Sequence, residues 1–87
     1  MILKDKVIII TGAGPGMGQA MCRGAALEGA RIAVSARSAD AINAIRDDIV
    51  AQGGEAIAIP TDVSDTAACK RLAAETFAKW GRIDGLV

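Results

Sequence analysis

Val7-Ile8-Ile9-Ile10-Thr11-Gly12-Ala13-Gly14-Pro15-Gly16-Met17-Gly18 is the stretch on which the fold turns. Four β-branched residues run straight into four glycines at alternate positions, and a helical pattern follows without a break. A continuous apolar run without alternation is the signature of a strand covered on both faces. Glycines remove side chains where backbone must approach a ligand, and a helix that starts there points free N–H groups at it. The stretch therefore reads as strand, anion-cradling loop and helix. The bland alternative is a flexible loop with no ligand, although a plain strand-to-helix turn needs one or two glycines rather than four.

Working outward, the chain alternates strand and helix. The first helix is expected over about 17–28, with Met17, Ala20, Met21, Gly24 and Ala25 on one face and Gly29 as a left-handed cap. Gly24, in mid-helix, is read as permitting close helix–sheet contact. Arg31 to Ser35 forms the second strand and ends at Ala36-Arg37. Ser38 caps a second helix over about 39–52, with Ile42, Ile45 and Ile49 as its stripe. Gly53-Gly54 stops it, and Ala56 to Ile59 makes a third strand that runs into Pro60-Thr61-Asp62-Val63. Ser64, followed by Asp65, is expected to open a third helix to about Trp80, with Cys69, Leu72, Ala73, Thr76, Phe77 and Trp80 at core spacing. Gly81 closes it, and Gly85-Leu86-Val87 opens a fourth strand.

This is β-α-β-α-β-α-(β), with short loops and no repeat. Right-handed crossovers arrange it as a Rossmann-type doubly wound parallel α/β sheet in the order 3-2-1, with the fourth strand beside the first. The sheet reads as truncated, since its second half would start at the fourth strand. The first strand is then expected to lie beside a stub and present an unpaired edge, an uncomfortable state for an isolated monomer.

Composition narrows the function. Ten basic and ten acidic residues cancel, so no electrostatic footprint suggests nucleic acid or an anionic membrane. The chain has no histidine, the commonest zinc ligand and general base. Its two cysteines, Cys22 and Cys69, lie in helical patterns outside any metal or redox spacing and read as buried reduced thiols. With no signal-peptide pattern and no long apolar run, the expected location is cytoplasmic. A Walker A loop is excluded because Gln19 follows Gly18.

What fits the loop is Thr11-Gly12-x-x-x-Gly16-x-Gly18. This resembles the T-G-x-x-x-G-x-G fingerprint of the short-chain dehydrogenase/reductase family. Three further places agree in order: Ala36-Arg37 ending the second strand, Asp62-Val63 after the third, and Gly81-Arg82-Ile83-Asp84-Gly85-Leu86-Val87. Met17 stands where that family more often has Ile or Leu. The resemblance covers essentially the whole chain and implies that residues 1–87 are the N-terminal portion of one NAD(P)-binding Rossmann domain. It implies a pyrophosphate site at Gly12, Gly14, Gly16, Met17 and Gly18. Asp62 would reach the adenine amino group and Val63 would line the adenine pocket. The competing reading of Asp62 is a turn residue.

Cofactor choice rests on the end of the second strand. A carboxylate there accepts hydrogen bonds from the ribose hydroxyls and repels a 2′-phosphate. Here neutral Ala36 is followed by Arg37 and Ser38, an arrangement suited to a 2′-phosphate, so NADP is expected, with NAD as the runner-up. The alternative is that Arg37 is a solvated surface residue. The family's reaction is hydride transfer between the nicotinamide and an alcohol or carbonyl, performed by a Ser, a Tyr, a Lys and a supporting Asn beyond the fourth strand. This chain contains no Tyr, so none of its residues is assigned a catalytic role and the chain alone is expected to be inactive. The complete protein is expected to take a small-molecule substrate and to form a homo-oligomer. The other reading is a non-catalytic nucleotide-binding or interaction module.

Overall fold

A computed structural model describes residues 3–12 and 17–87. Strands β1 (Val7–Ile10), β2 (Arg31–Ala36), β3 (Glu55–Pro60) and β4 (Gly85–Leu86) alternate with helices α1 (Met17–Leu27), α2 (Ala39–Ala51) and α3 (Thr66–Trp80). All pairings are parallel and the sheet order is β3-β2-β1-β4, as the crossover rule requires. The doubly wound α/β arrangement expected from the sequence is thus present.

Hydrophobic burial divides unequally between the two faces. Ile10, Cys22, Ala30, Ile32, Val34, Ile42, Ile45 and Ile49 form one buried cluster, where α1 and α2 cover the sheet. The opposite face is thinner, with Ile9, Ala33 and Leu72 buried and Ile57, Ile59 and Trp80 packed against them. The Ile42, Ile45 and Ile49 stripe and the Ser38 cap are where periodicity put them, the Ser38 hydroxyl accepting from the Ala41 N–H at 3.4 Å.

Five readings are corrected. On α1 the buried residue is Cys22, with Ala25 and Ala26 packed against the core, whereas Ala20, Met21 and Gly24 face outward. A Cβ at Gly24 would meet nothing within 4 Å, so this glycine permits no close approach. An Ala- and Gly-rich helix offers two nearly equal apolar stripes, and packing chose the one containing the thiol. On α3 the cap is Asp65, whose Oδ1 accepts from the N–H groups of Ala67 and Ala68, and not Ser64. Phe77 is 57% exposed rather than core. Finally, β1 is not left bare. Asp84 N–H donates to Val7 O, Val87 N–H to Ile9 O, and Thr11 N–H to Val87 O, each at 2.8 Å. Exposure falls instead on Leu86 and Val87, beside β1. Among the described residues, no helix is long and apolar enough to cross a membrane.

Candidate functional site

In a doubly wound sheet, ligands bind outside the carboxyl ends of the strands where the crossovers diverge. Here that point lies at β1, with β2 and β3 on one side and β4 on the other. Gly12 leaves β1 with φ +68°, a left-handed conformation that side chains rarely adopt, and its absent Cβ faces open space. Thr11, just before it, fixes the exit of the strand: its Oγ1 donates to Val87 O at 2.9 Å, doubling the bond from its N–H. Gly18 is half-buried in the first turn of α1. Gly14 and Gly16 lie outside the described residues, as does the side chain of Met17, the first residue of α1.

The adjacent strand ends supply the charge. Parallel pairing sets Ala36 opposite Pro60, so the chain segments that leave β2 and β3 emerge side by side. Thr61 N–H donates to Ala36 O at 2.8 Å and carries that pairing one residue further. Arg37 and Asp62, 25 residues apart in sequence, consequently face each other. The Arg37 Nη2 lies 3.4 Å from Asp62 Oδ1 and 3.5 Å from Oδ2, the long end of hydrogen-bonding distance. The Arg37 side chain is 77% exposed. A pair of that kind contributes little to stability.

Asp62 is held more firmly from its other side. Its Oδ1 accepts from the Ser64 hydroxyl at 2.7 Å and the Ser64 N–H at 2.9 Å. These bonds, with a smaller contribution from the Arg37 charge, keep the Asp62 carboxyl below the ordinary carboxylate value. It is therefore an anion at neutral pH. Val63, next along, is apolar and 62% exposed. Ser38 is exposed beside Arg37 and already serves as the α2 cap.

Gly12, Gly18, Arg37, Ser38, Asp62 and Val63 thus all lie at the carboxyl end of the sheet. Ser64, which fixes Asp62, and the Thr11 hydroxyl, which anchors the end of β1 to Val87, have contacts that the motif does not reveal. A serine ahead of a helix reads as a cap, but a serine two residues after an aspartate also signals an Asx-type turn. Among the described residues no cluster of potential metal ligands occurs. Cys22 is buried and its thiol is pushed up to about 11 by desolvation, which leaves it unreactive at neutral pH. Cys69 is only partly buried and donates a weak bond to Val63 O at 3.5 Å.

Residues 6–87 match the family profile described as short chain dehydrogenase. The chain belongs to the short chain dehydrogenase family. An L-rhamnose 1-dehydrogenase (NAD(P)(+)) of Azotobacter vinelandii is 36% identical over 91 residues, covering 100% of this chain and 36% of that enzyme. A crystal structure of a hydroxysteroid dehydrogenase from Escherichia coli superposes with a TM-score of 0.93 at 38% identity, over 97% of this chain and 36% of the other. A metagenomic short-chain oxidoreductase in complex with NADP gives 0.91 at 36% identity, over 99% of this chain and 39% of its own length. The short chain dehydrogenase sequence described here therefore spans about a third of the length of these relatives.

Proposed function

We propose that residues 1–87 are the N-terminal, cofactor-binding portion of a single Rossmann-type domain in an NADP(H)-dependent oxidoreductase. The observation that carries the cofactor assignment is at the end of β2. Neutral Ala36 stands where a carboxylate would oppose a 2′-phosphate, and Arg37 beside it presents a guanidinium that is 77% exposed and only loosely engaged.

The residues present fit such a group. Gly12 leaves open space above the end of β1, as a close phosphate approach demands. Gly14, Gly16, Met17 and Gly18 complete the motif that would hold the pyrophosphate at the start of α1, where free N–H groups and the helix dipole favour an anion. Arg37 and Ser38 would hold the 2′-phosphate. Asp62 would accept from the adenine amino group, and exposed Val63 offers its apolar surface to the ring. When bound, the nicotinamide supplies reversible hydride transfer to or from a carbon bearing an alcohol or carbonyl oxygen. The chain's own residues bind and orient; without a Tyr it holds no group of the kind that moves the substrate proton in this family. A small-molecule substrate, a homo-oligomeric assembly and a cytoplasmic location belong to the same reading.

A backbone-amide NMR titration with NADP⁺ tests it. Shifts are expected at Gly12, Gly18, Arg37, Asp62 and Val63, and none at Arg31 or Glu55 at the opposite end of the sheet. Shifts confined to that opposite end would overturn the proposal.

A further inference from the structure

The two charged residues assigned above to the adenosine end of the cofactor are partners of each other. Asp62 presents both carboxylate oxygens to one nitrogen of Arg37, at 3.4 and 3.5 Å. Its orientation does not depend on Arg37, because two shorter bonds from Ser64 fix Oδ1. The arginine, by contrast, has no other charged partner among the bonds that the structure records for it, and its side chain is largely in water. An anion held by Ser64 therefore lies beside a largely solvated cation.

Resting on the NADP(H) reading, we propose that Asp62 is a specificity-determining residue that tempers the preference for the 2′-phosphate by competing with it for the Arg37 guanidinium. A 2′-phosphate brings between one and two negative charges to the same group that Asp62 already neutralises in part. To engage Arg37 it must draw the guanidinium from the carboxylate or share it, with the carboxylate's charge held nearby. A cofactor without that phosphate meets no such opposition. The strength of the site for the phosphorylated ribose is thus set by the difference between Arg37 and Asp62, and not by Arg37 alone.

Asp62→Asn removes the charge and keeps an oxygen that still accepts from both Ser64 donors, so the local turn is preserved. The probes are adenosine 2′,5′-bisphosphate and adenosine 5′-monophosphate, titrated calorimetrically into the full chain. Loss of an adenine contact at Asp62 weakens both probes together, and the ratio of their affinities cancels it. Asp62→Asn is expected to raise the preference for the bisphosphate roughly fivefold, the scale of a charge interaction across several ångströms near water. In an Arg37→Ala background the same change is expected to move the ratio by much less, because the group competed for is gone. An unchanged or reduced ratio in the single variant overturns the inference while leaving nucleotide binding intact. Binding of neither probe to the wild type removes the underlying reading and the inference with it. Should circular dichroism show Asp62→Asn unfolded, Asp62→Ser, which also keeps a short acceptor, is required to give the same rise in ratio.

Discussion

Arg31 and Arg37 stand at opposite ends of β2, and the difference between them separates scaffold from site. Arg31 is pinned. Its Nε lies 2.5 Å from Glu55 across the β2–β3 pairing, its Nη2 lies 3.6 Å from Asp5, and the side chain is 31% exposed. Arg37 is 77% exposed and touches Asp62 only at the limit of hydrogen bonding. Arg31 is the first residue of β2 and lies within its pairing with β3, whereas Arg37 is the first residue past its end. The placement of the acids differs as well. At the amino end, Glu55 is directly opposite Arg31 in the register; at the carboxyl end, Asp62 lies beyond the last pair, Ala36 with Pro60, and is turned toward Ser64. A guanidinium whose donors are engaged closes a sheet. One whose donors are nearly all free is available to a ligand.

The largest expected effect breaks this contrast at its functional end. Arg37→Asp replaces a charge-assisted donor by a repelling anion, so preference for NADPH over NADH should fall by roughly 10- to 100-fold and reverse in sign, as read by fluorescence titration. Arg31→Asp, the matching change at the other end, should leave that ratio unmoved. A shift of similar size there would erase the distinction.

Next in size is a pair of glycines on the scaffold side. A Cβ at Gly54 would come within 2.7 Å of Ile49 Cγ2 and 3.2 Å of its carbonyl oxygen, where a β-branched methyl buried in the core cannot swing aside. Gly54→Ala should cost about 1–3 kcal/mol in urea unfolding. Gly24→Ala, in open space on the outer face of α1, should instead stabilise by about 0.5–1 kcal/mol.

Acid titration gives a smaller effect. Asp84 accepts from Arg82 and from the Val7 N–H, and these hold its carboxyl below the ordinary value of 3.8. Asp62 is lowered likewise by Ser64. A carboxyl lowered by folding supports the fold fully above about pH 4 and loses that support as pH falls through its lowered value. Asp84→Asn should therefore flatten the stability profile only on the acid side, below about pH 4, with no change near neutrality in its slope. The smallest change concerns the thiols. A disulfide reagent at neutral pH should label Cys69 readily in the native chain and Cys22 only after denaturant is added.

Much of the scaffold could be read from residue order because strong local signals agreed with one another. The apolar run at β1, the Ile42/Ile45/Ile49 stripe and the glycine stops each match the observed elements, and crossover handedness then orders the strands. The phase of α1 was not legible, since alanine and glycine on either stripe cost the same until the sheet selects one. Helical spacing alone puts Phe77 in the core, but α3 covers a face where only Leu72 and Thr76 of its residues are buried. At the site, the motif marked which residues gather, while the pairing of Arg37 with Asp62 depends on the β2–β3 register and on Ser64 claiming Asp62. Residues 25 apart give no sequence signal of that contact.

The most direct test of the central claim is a binding titration of the full chain with NADPH and with NADH under the same salt conditions. Saturable binding of both is expected, with a lower Kd for NADPH and an advantage that shrinks as salt screens Arg37. Equal affinities, or tighter binding of NADH, would contradict it.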